Sequence, residues 1–465
     1  MTTAAGGARP PAAARGWSVR GFDAVSLLTV YMVSLYAFPS AGSIDGLGSL
    51  GRPSNLVGLA CLGWWVWEQI SRHRPAPRPA QPVRVALIVL ALTVLISYAL
   101  AGMRGIPVLE QSVADSTMLR FLSWTGPALL ATDCVRTPER FQALVHRIVI
   151  AGGLMATLGL AQFVTGQPLL AGLPIPGVTA DVVDLGDRGG FVRASAMAAH
   201  PLEYATVLAA AIPLALNAAL YSRPGSRLRR WYPSAAMILA SLLAVSRSAI
   251  LGTAAGILVL APSWPRRVQV RLAVAGVLLL AAVQVLVPGM LSTLRYMFTG
   301  GDSSTESRVD NWGIAFDLAS RFQPFGRGLG TFLPSYRILD NAYLLLLIEI
   351  GIVGVLAVIG LAATAVVVAL RASHRATDIA LRSQSRALVA SVSAVMLLMA
   401  FFDAISFTMS VSTFFLVVGC CGAAGNVVPR RAPGAAHALA ADGADHSQGS
   451  GSGTGIPRPS GASGS

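Results

Sequence analysis

The sequence predicts an all-α protein: a polytopic transmembrane bundle of about 12 helices, with a large outward-facing loop that contains a short amphipathic helix. Three observations lead there. Only 12% of the 465 residues are charged while 54% are hydrophobic, whereas a soluble domain carries about 25% charged residues. The apolar residues gather into runs close to the ~20 residues that cross a bilayer core as a helix. Arginines then fall between alternate runs, so the connections sort into two sets.

The runs lie near 22–40, 55–70, 85–101, 118–134, 147–165, 201–221, 231–245, 249–263, 272–288, 342–370, 387–406 and 409–427. Residues 1–20, rich in Ala, Gly, Pro and Arg, read as a disordered cytoplasmic N-terminus. The first run is not followed by a small-residue cleavage site and reads as a retained span. The seventh and eighth runs are short and joined only by Ser246-Arg247-Ser248. Residues 21–428 form the transmembrane domain, and 429–465 read as a disordered cytoplasmic tail of Gly, Ser, Ala and Pro. No long-period internal repeat is visible, which speaks against an inverted-repeat transporter.

Orientation comes from the arginines, which supply all 35 positive charges. With both termini cytoplasmic, about 24 fall inside and about 11 outside, while about 14 of the 21 acids fall outside. The net charge of +14 is therefore a topology signal with some attraction to anionic lipid. It is not a nucleic-acid footprint. Cys61, Cys134, Cys420 and Cys421 lie in or beside apolar runs without a CxxC pair or Cys/His cluster, so neither a zinc site nor a disulfide framework is expected. The expected location is the inner (plasma) membrane, multi-pass, with the chemistry outward.

The two longest internal connections, 166–200 and 289–341, both fall outside, and connections of that length are usually functional or disordered. In the larger one, Ser303-Ser304-Thr305-Glu306 fits a capping box with Ser303 as N-cap. Trp312, Ala315, Phe316 and Ala319 follow on one helical stripe, an amphipathic helix lying on the membrane or on the bundle. Gly326, Gly328 and Gly330 after Pro324 make a tight turn, either an ordinary one or one that approaches a ligand. Asp340-Asn341 opens the tenth run, with Asp340 either capping that helix or acting as a general base at the water–lipid boundary. Glu349, two turns on, and Asp403 either face a partner or wet cavity or are structural.

In the smaller connection, Arg193 precedes His200-Pro201. His200 stands at the lip of the sixth run as a proton-exchanging group or a satisfied polar residue. Arg247 lies outside, against the positive-inside bias. It suits bidentate phosphate recognition or snorkels to headgroups. Asp181, Asp184 and Asp187 read as a solvated run and not a ligand set.

Taken together, these segments resemble the O-antigen ligase and polysaccharide polymerase superfamily. The resemblance runs in chain order through Arg193 with His200-Pro201, Val245-Ser246-Arg247-Ser248-Ala249, Ser307-Arg308 with Trp312, the Pro324–Gly330 turn, and Asp340-Asn341 leading to Glu349-Ile350-Gly351. The family's ligases carry a histidine directly before that asparagine. Aspartate at 340 looks more like polymerase-type members, and Glu203 stands where many relatives have asparagine. The resemblance implies a glycosyltransferase in cell-surface polysaccharide assembly, with a polyprenyl-pyrophosphate-linked glycan as donor. The acceptor is a hydroxyl of a glycan, lipid or protein. Asp340 and His200 are then the catalytic candidates, and Arg193, Arg247, Arg308, Arg327 and Asn341 the pyrophosphate- and substrate-binding ones, with Arg337 in reserve. Delocalised positive charge would stabilise the leaving group. No metal-binding acidic motif stands out in the outer loops, so no metal or cofactor is expected. The rival readings are a transporter or flippase for lipid-linked glycans and a non-catalytic assembly protein.

Overall fold

The computed structural model describes residues 22–46, 48–71, 81–172, 177–179, 185–188, 190–221, 226–289, 292, 295 and 303–428. The expected tails and the acids Asp181 and Asp184 lie outside the described residues.

The described chain is an all-α bundle. Its helices are α1 (Ala24–Tyr36), α2 (Pro53–Ile70), α3 (Pro82–Met103), α4 (Val108–Cys134), α5 (Pro138–Thr165), α6 (Pro201–Tyr221), α7 (Arg227–Leu243), α8 (Arg247–Leu260) and α9 (Arg266–Leu286). Then follow α10 (Ser303–Ser320), α11 (Ala342–Glu349), α12 (Gly351–Arg375), α13 (Ile379–Leu398) and α14 (Thr408–Val427). Every apolar run contains helix. Prolines at the first positions of α2, α3, α5 and α6 start helices where a missing N–H costs nothing. Two-residue strand pairs, β1 (Ser43–Ile44) with β2 (Val178–Thr179) and β3 (Asp187–Arg188) with β4 (Phe191–Val192), pin the loops.

Among the described residues α3, α5, α6, α9, α12 and α14 are long and apolar enough to cross a membrane, while α1 and the α8 segment are apolar but shorter. α14 is central, 94% buried, and α9 peripheral, 6% buried. Small residues set the closest crossings. Gly58 of α2 faces Gly126 of α4, where an added Cβ would meet backbone atoms of the partner helix, the close approach that glycine permits between membrane helices. Gly419 and Gly422 of α14 meet Ala128 and Thr132 of α4 in the same way.

Two expectations change. The tenth run is not one helix: α11 ends at Glu349 and α12 begins at Gly351, which has φ +66°. The stripe on α10 is also turned around. Ala315 and Ala319 are buried against Phe332, Leu344, Leu345 and Ile348, whereas Trp312 and Phe316 are 52% and 53% exposed. Packing on α11 selects the small residues because they allow the two helices to approach, and the aromatic rings point away. The helix starts at Ser303 itself; the capping side chains lie outside the described residues.

Candidate functional site

The site is assembled where α1, α3, α5, α7, α9 and α13 end and α2, α4, α6, α8, α11 and α14 begin. Segment 193–200 is held from three sides. Buried Gln162 on α5 donates to the carbonyls of Pro168 (3.1 Å) and Ala196 (3.0 Å) and accepts from the Ala196 amide (2.7 Å). The Met197 carbonyl accepts from the Ser40 amide at 2.8 Å. Glu203, 1% exposed, accepts from the Ser40 hydroxyl (2.7 Å), the Ala199 amide (2.8 Å) and the Met409 amide (2.7 Å). One carboxylate thus ties the chain before His200 to the starts of α6 and α14.

His200 follows directly. The Leu202 amide donates to its Nδ1 at 3.1 Å, so Nδ1 is the acceptor and Nε2 carries the ring hydrogen. Burial, and next Arg193, push the His200 pKa down, while Asp340 pulls it up. Arg193 and Asp340, from different loops, are therefore the two charges that act on this ring. In its neutral form His200 presents Nε2–H as a donor. Its basic nitrogen is engaged at the helix start, so taking a proton there costs the Leu202 bond. Its ring lies 5.4 Å from that of Phe407.

The ambiguity at the start of α11 resolves as well. Asn341 is the N-cap, its Oδ1 accepting from the amides of Tyr343 (2.9 Å) and Leu344 (3.4 Å). The cap role open to Asp340 is thus filled by its neighbour. The Ala342 amide donates to the Met399 and Phe402 carbonyls at 2.9 and 3.2 Å, which fixes this loop to the end of α13. Arg247 opens α8 behind the N-cap Ser246. Ala205, Ala244 and Ala249 pack together, so its hairpin lies against the first turn of α6. Arg308 lies on α10, its side chain outside the described residues. Arg337 is exposed.

Arg327 is placed differently from its sequence-based assignment. Its guanidinium pairs with buried Glu110 at 2.6 Å and lies over the Tyr336 ring, 5.3 Å from the centroid. The Tyr336 hydroxyl donates to the same carboxylate oxygen at 2.6 Å, and this bond is the main reason its pKa is raised. Arg327 anchors the glycine turn to α4, and that turn completes the broken helix. The amides of Arg327 and Gly328 donate to the carbonyls of Ile348 (2.8 Å) and Glu349 (2.7 Å), and the Val353 amide donates to the Pro324 carbonyl (3.3 Å). The Gln323 side chain accepts from the Ile352 amide at 2.8 Å. A Cβ on Gly326 would sit 2.5 Å from the Gly351 nitrogen, so the approach needs glycine on both sides. The Glu349 carboxylate faces this turn and accepts from the Phe332 amide at 3.3 Å.

Sequence reasoning missed Arg52 and Arg120. The Gly58–Gly126 crossing brings the N-cap of α2 beside α4. Arg52 donates to the Thr408 hydroxyl, and Arg120 to Thr117 at 2.9 Å. Burial lowers the Arg52 pKa and Glu203 raises it. Arg52, Glu349 and Asp403 are the charges that act on Arg120. Asp403 itself caps a short turn, accepting from the Ile405 and Ser406 amides at 3.2 and 3.4 Å. The signals were present. Arg52 stands against the positive-inside bias as Arg247 does, and Arg120 lies inside an apolar run, where an arginine is costly.

The bundle thus combines membrane-length helices with a cluster of arginines, a histidine and an aspartate at one end. Residues 232–359, about a quarter of the chain, match the O-antigen ligase family model, which supports membership of the O-antigen ligase superfamily. The match includes Arg247, Arg308, Arg327, Asp340 and Glu349 and stops short of Arg193 and His200. No curated protein matches the chain significantly. The family and the apolar helices together indicate a multi-pass membrane protein with a ligase- or polymerase-type role in glycan processing.

Proposed function

We propose that this chain is a glycosyltransferase crossing the inner membrane twelve times, with both termini cytoplasmic and its site outward. It transfers or polymerises a glycan carried on polyprenyl pyrophosphate. The observation that carries the reading is that Arg193 and Asp340, from two distant loops, both act electrostatically on His200, with Asn341 taking over the cap. In the reaction an acceptor hydroxyl oxygen bonds to the anomeric carbon as the bond from that carbon to the pyrophosphate oxygen breaks. Asp340 takes the hydroxyl proton. Arg193, Arg247 and Arg308 balance the charge developing on the pyrophosphate, and His200 donates Nε2–H without changing its own charge.

One observation favours a transporter, because a broken helix is the usual binding element there. Here, however, amides and carbonyls at the break are bonded to the 323–330 turn and not left for a substrate. Reconstitution with a polyprenyl-pyrophosphate glycan pool tests the assignment. Elongated or transferred product is expected, lost in Arg193→Ala, Arg247→Ala and Asp340→Asn. Full activity in all three variants, or movement of intact donor across the bilayer without product, overturns it.

A further inference from the structure

Glu203 accepts from three donors beside the site, yet the proposed reaction gives it no part. The start of α6 explains why it is there. His200 directly precedes the first helical residue, Pro201, and its carbonyl accepts from the Tyr204 amide. Its Nδ1 accepts from the Leu202 amide, the bond that an N-cap side chain makes. Glu203 is then the third helical residue, and its Oε2 reaches back to the Ala199 amide at 2.8 Å. This is the reciprocal arrangement of a capping box, reaching one residue further back and with a histidine where serine or threonine is usual. The orientation of the imidazole is therefore set by a helix start, and Glu203 closes that start.

The same carboxylate acts beyond its own helix. α14 begins after Phe407, which offers no side-chain cap. Glu203 supplies one from outside, its Oε1 accepting from the Met409 amide at 2.7 Å. Its Oε2 also accepts from the Ser40 hydroxyl at 2.7 Å, and the Ala199 amide is shared with that hydroxyl at 2.7 Å. Arg52, whose charge acts on Glu203, holds the neighbouring Thr408 hydroxyl. Both oxygens of a carboxylate accept, whereas a carboxamide accepts with one atom and donates with the other. Three donors around a side chain that water does not reach therefore fit glutamate, and a carboxamide would set its NH2 group against a donor.

We infer that Glu203 is a positioning residue for the transfer reaction: it fastens the starts of α6 and α14 to each other and to Ser40, so that the His200 ring keeps one orientation and one tautomer. This rests on the proposed function for the reaction in which the ring is used, while the hold on the ring itself does not depend on it. A residue that acts only through His200 cannot cost more than loss of that ring, and it costs nothing further once the ring is gone. A residue that merely stabilises the bundle would cost the same in either case.

The test uses the full chain in proteoliposomes and the near-isosteric Glu203→Gln. In otherwise wild-type protein this change should lower kcat about tenfold, less than the ~10²-fold of His200→Ala, with the donor KM unchanged. In a His200→Ala background it should lower kcat no further. Equal losses in the two backgrounds overturn the inference. A second readout needs no activity: nitrogen NMR of ring-labelled histidine, with the His200 signal assigned by its absence from His200→Asn. Wild type should show hydrogen on Nε2, and Glu203→Gln a mixture of tautomers. A His200 signal unchanged in Glu203→Gln overturns the inference whatever the rates. Wild-type protein that transfers no glycan but shows the tautomer change would overturn the proposed function and leave the hold on the ring standing. If Glu203→Gln fails to fold, Ser40→Ala takes its place in both measurements, removing one donor and sparing the carboxylate. Its loss should be smaller and should again vanish in the His200→Ala background.

Discussion

The two ends of the bundle use the same residue types in different proportions of structural and unpaired roles. At the end away from the site, Asp133 is 5% exposed and collects Arg84 at 3.2 Å, the Trp65 ring N–H at 2.9 Å and Gln69 at 3.4 Å. Arg140 pairs with Asp23 at 2.8 Å, and Arg382 donates to the Ala376 carbonyl at 2.9 Å. Those charges lock α1 to α5, α2 and α3 to α4, and α12 to α13. At the site end Arg327 pairs with Glu110 at 2.6 Å, but the carboxylate of Glu203 and the amide oxygen of Asn341 bind backbone, and among the described residues Arg52 and Arg120 make no salt bridge. Side chains satisfied by the protein hold helices together, and those the protein does not satisfy are available to a ligand.

Substitutions at the two ends should therefore separate activity from stability. Asp340→Asn should lower transfer by ~10²–10⁴-fold with the melting temperature unchanged, because Asn341 keeps the cap. A variant that melts early yet transfers normally would return Asp340 to a structural role. His200→Ala should cost about 10²-fold, and His200→Asn should recover most of it. The asparagine oxygen can accept the Leu202 N–H while its amide donates. Steady-state rates of the pair decide this, since a proton-transfer role would leave His200→Asn as poor as His200→Ala.

The same ring predicts a pH effect. Its pKa is depressed in the folded protein, so the folded state binds the proton less readily than the unfolded one. Its contribution is complete above the ordinary histidine value of about 6.5 and is lost as pH falls from there through the depressed folded value. Protonation at Nδ1 also breaks the Leu202 bond. Melting curves of wild type and His200→Asn should converge below that pH.

Gly351→Ala should destabilise by about 2–3 kcal/mol, read by thermal melting, because it strains a positive φ and pushes on the Pro324 carbonyl. The smallest effect should come from the far end. Asp133→Ala should cost toward the lower end of ~1–3 kcal/mol, since Arg84 can reach water, and leave the turnover of folded protein intact. A turnover loss there matching Asp340→Asn would break the contrast between the ends.

Much of this was legible in the sequence. Apolar runs mark helices because each must satisfy its backbone internally in lipid, and all twelve contain helix. Arg193, His200 and Asp340 were singled out, and in the structure the charges of Arg193 and Asp340 both act on the His200 ring. What stayed hidden depends on partners far along the chain. Residue type alone left Asp340 and Asn341 equal as caps. Nothing near Arg327 revealed Glu110 as its partner, more than two hundred residues earlier. The α10 stripe was read by hydrophobicity, whereas α11 selected Ala315 and Ala319 by size. The break at Ile350 follows Glu349 within an otherwise apolar run, and the contact with the glycine turn explains it.

That break has a consequence for how the protein is made. Eight residues of α11 rise about 12 Å, well short of a ~30 Å hydrocarbon core, so α11 and α12 traverse it only as a pair. The 323–330 turn that saturates their junction is synthesised ahead of both. When the junction emerges, its partner is already in place, and loop and helix mature as one unit. Grafting a foreign loop between α9 and α11 would therefore strip the junction of its bonds and send the nascent chain to quality control before any substrate was met.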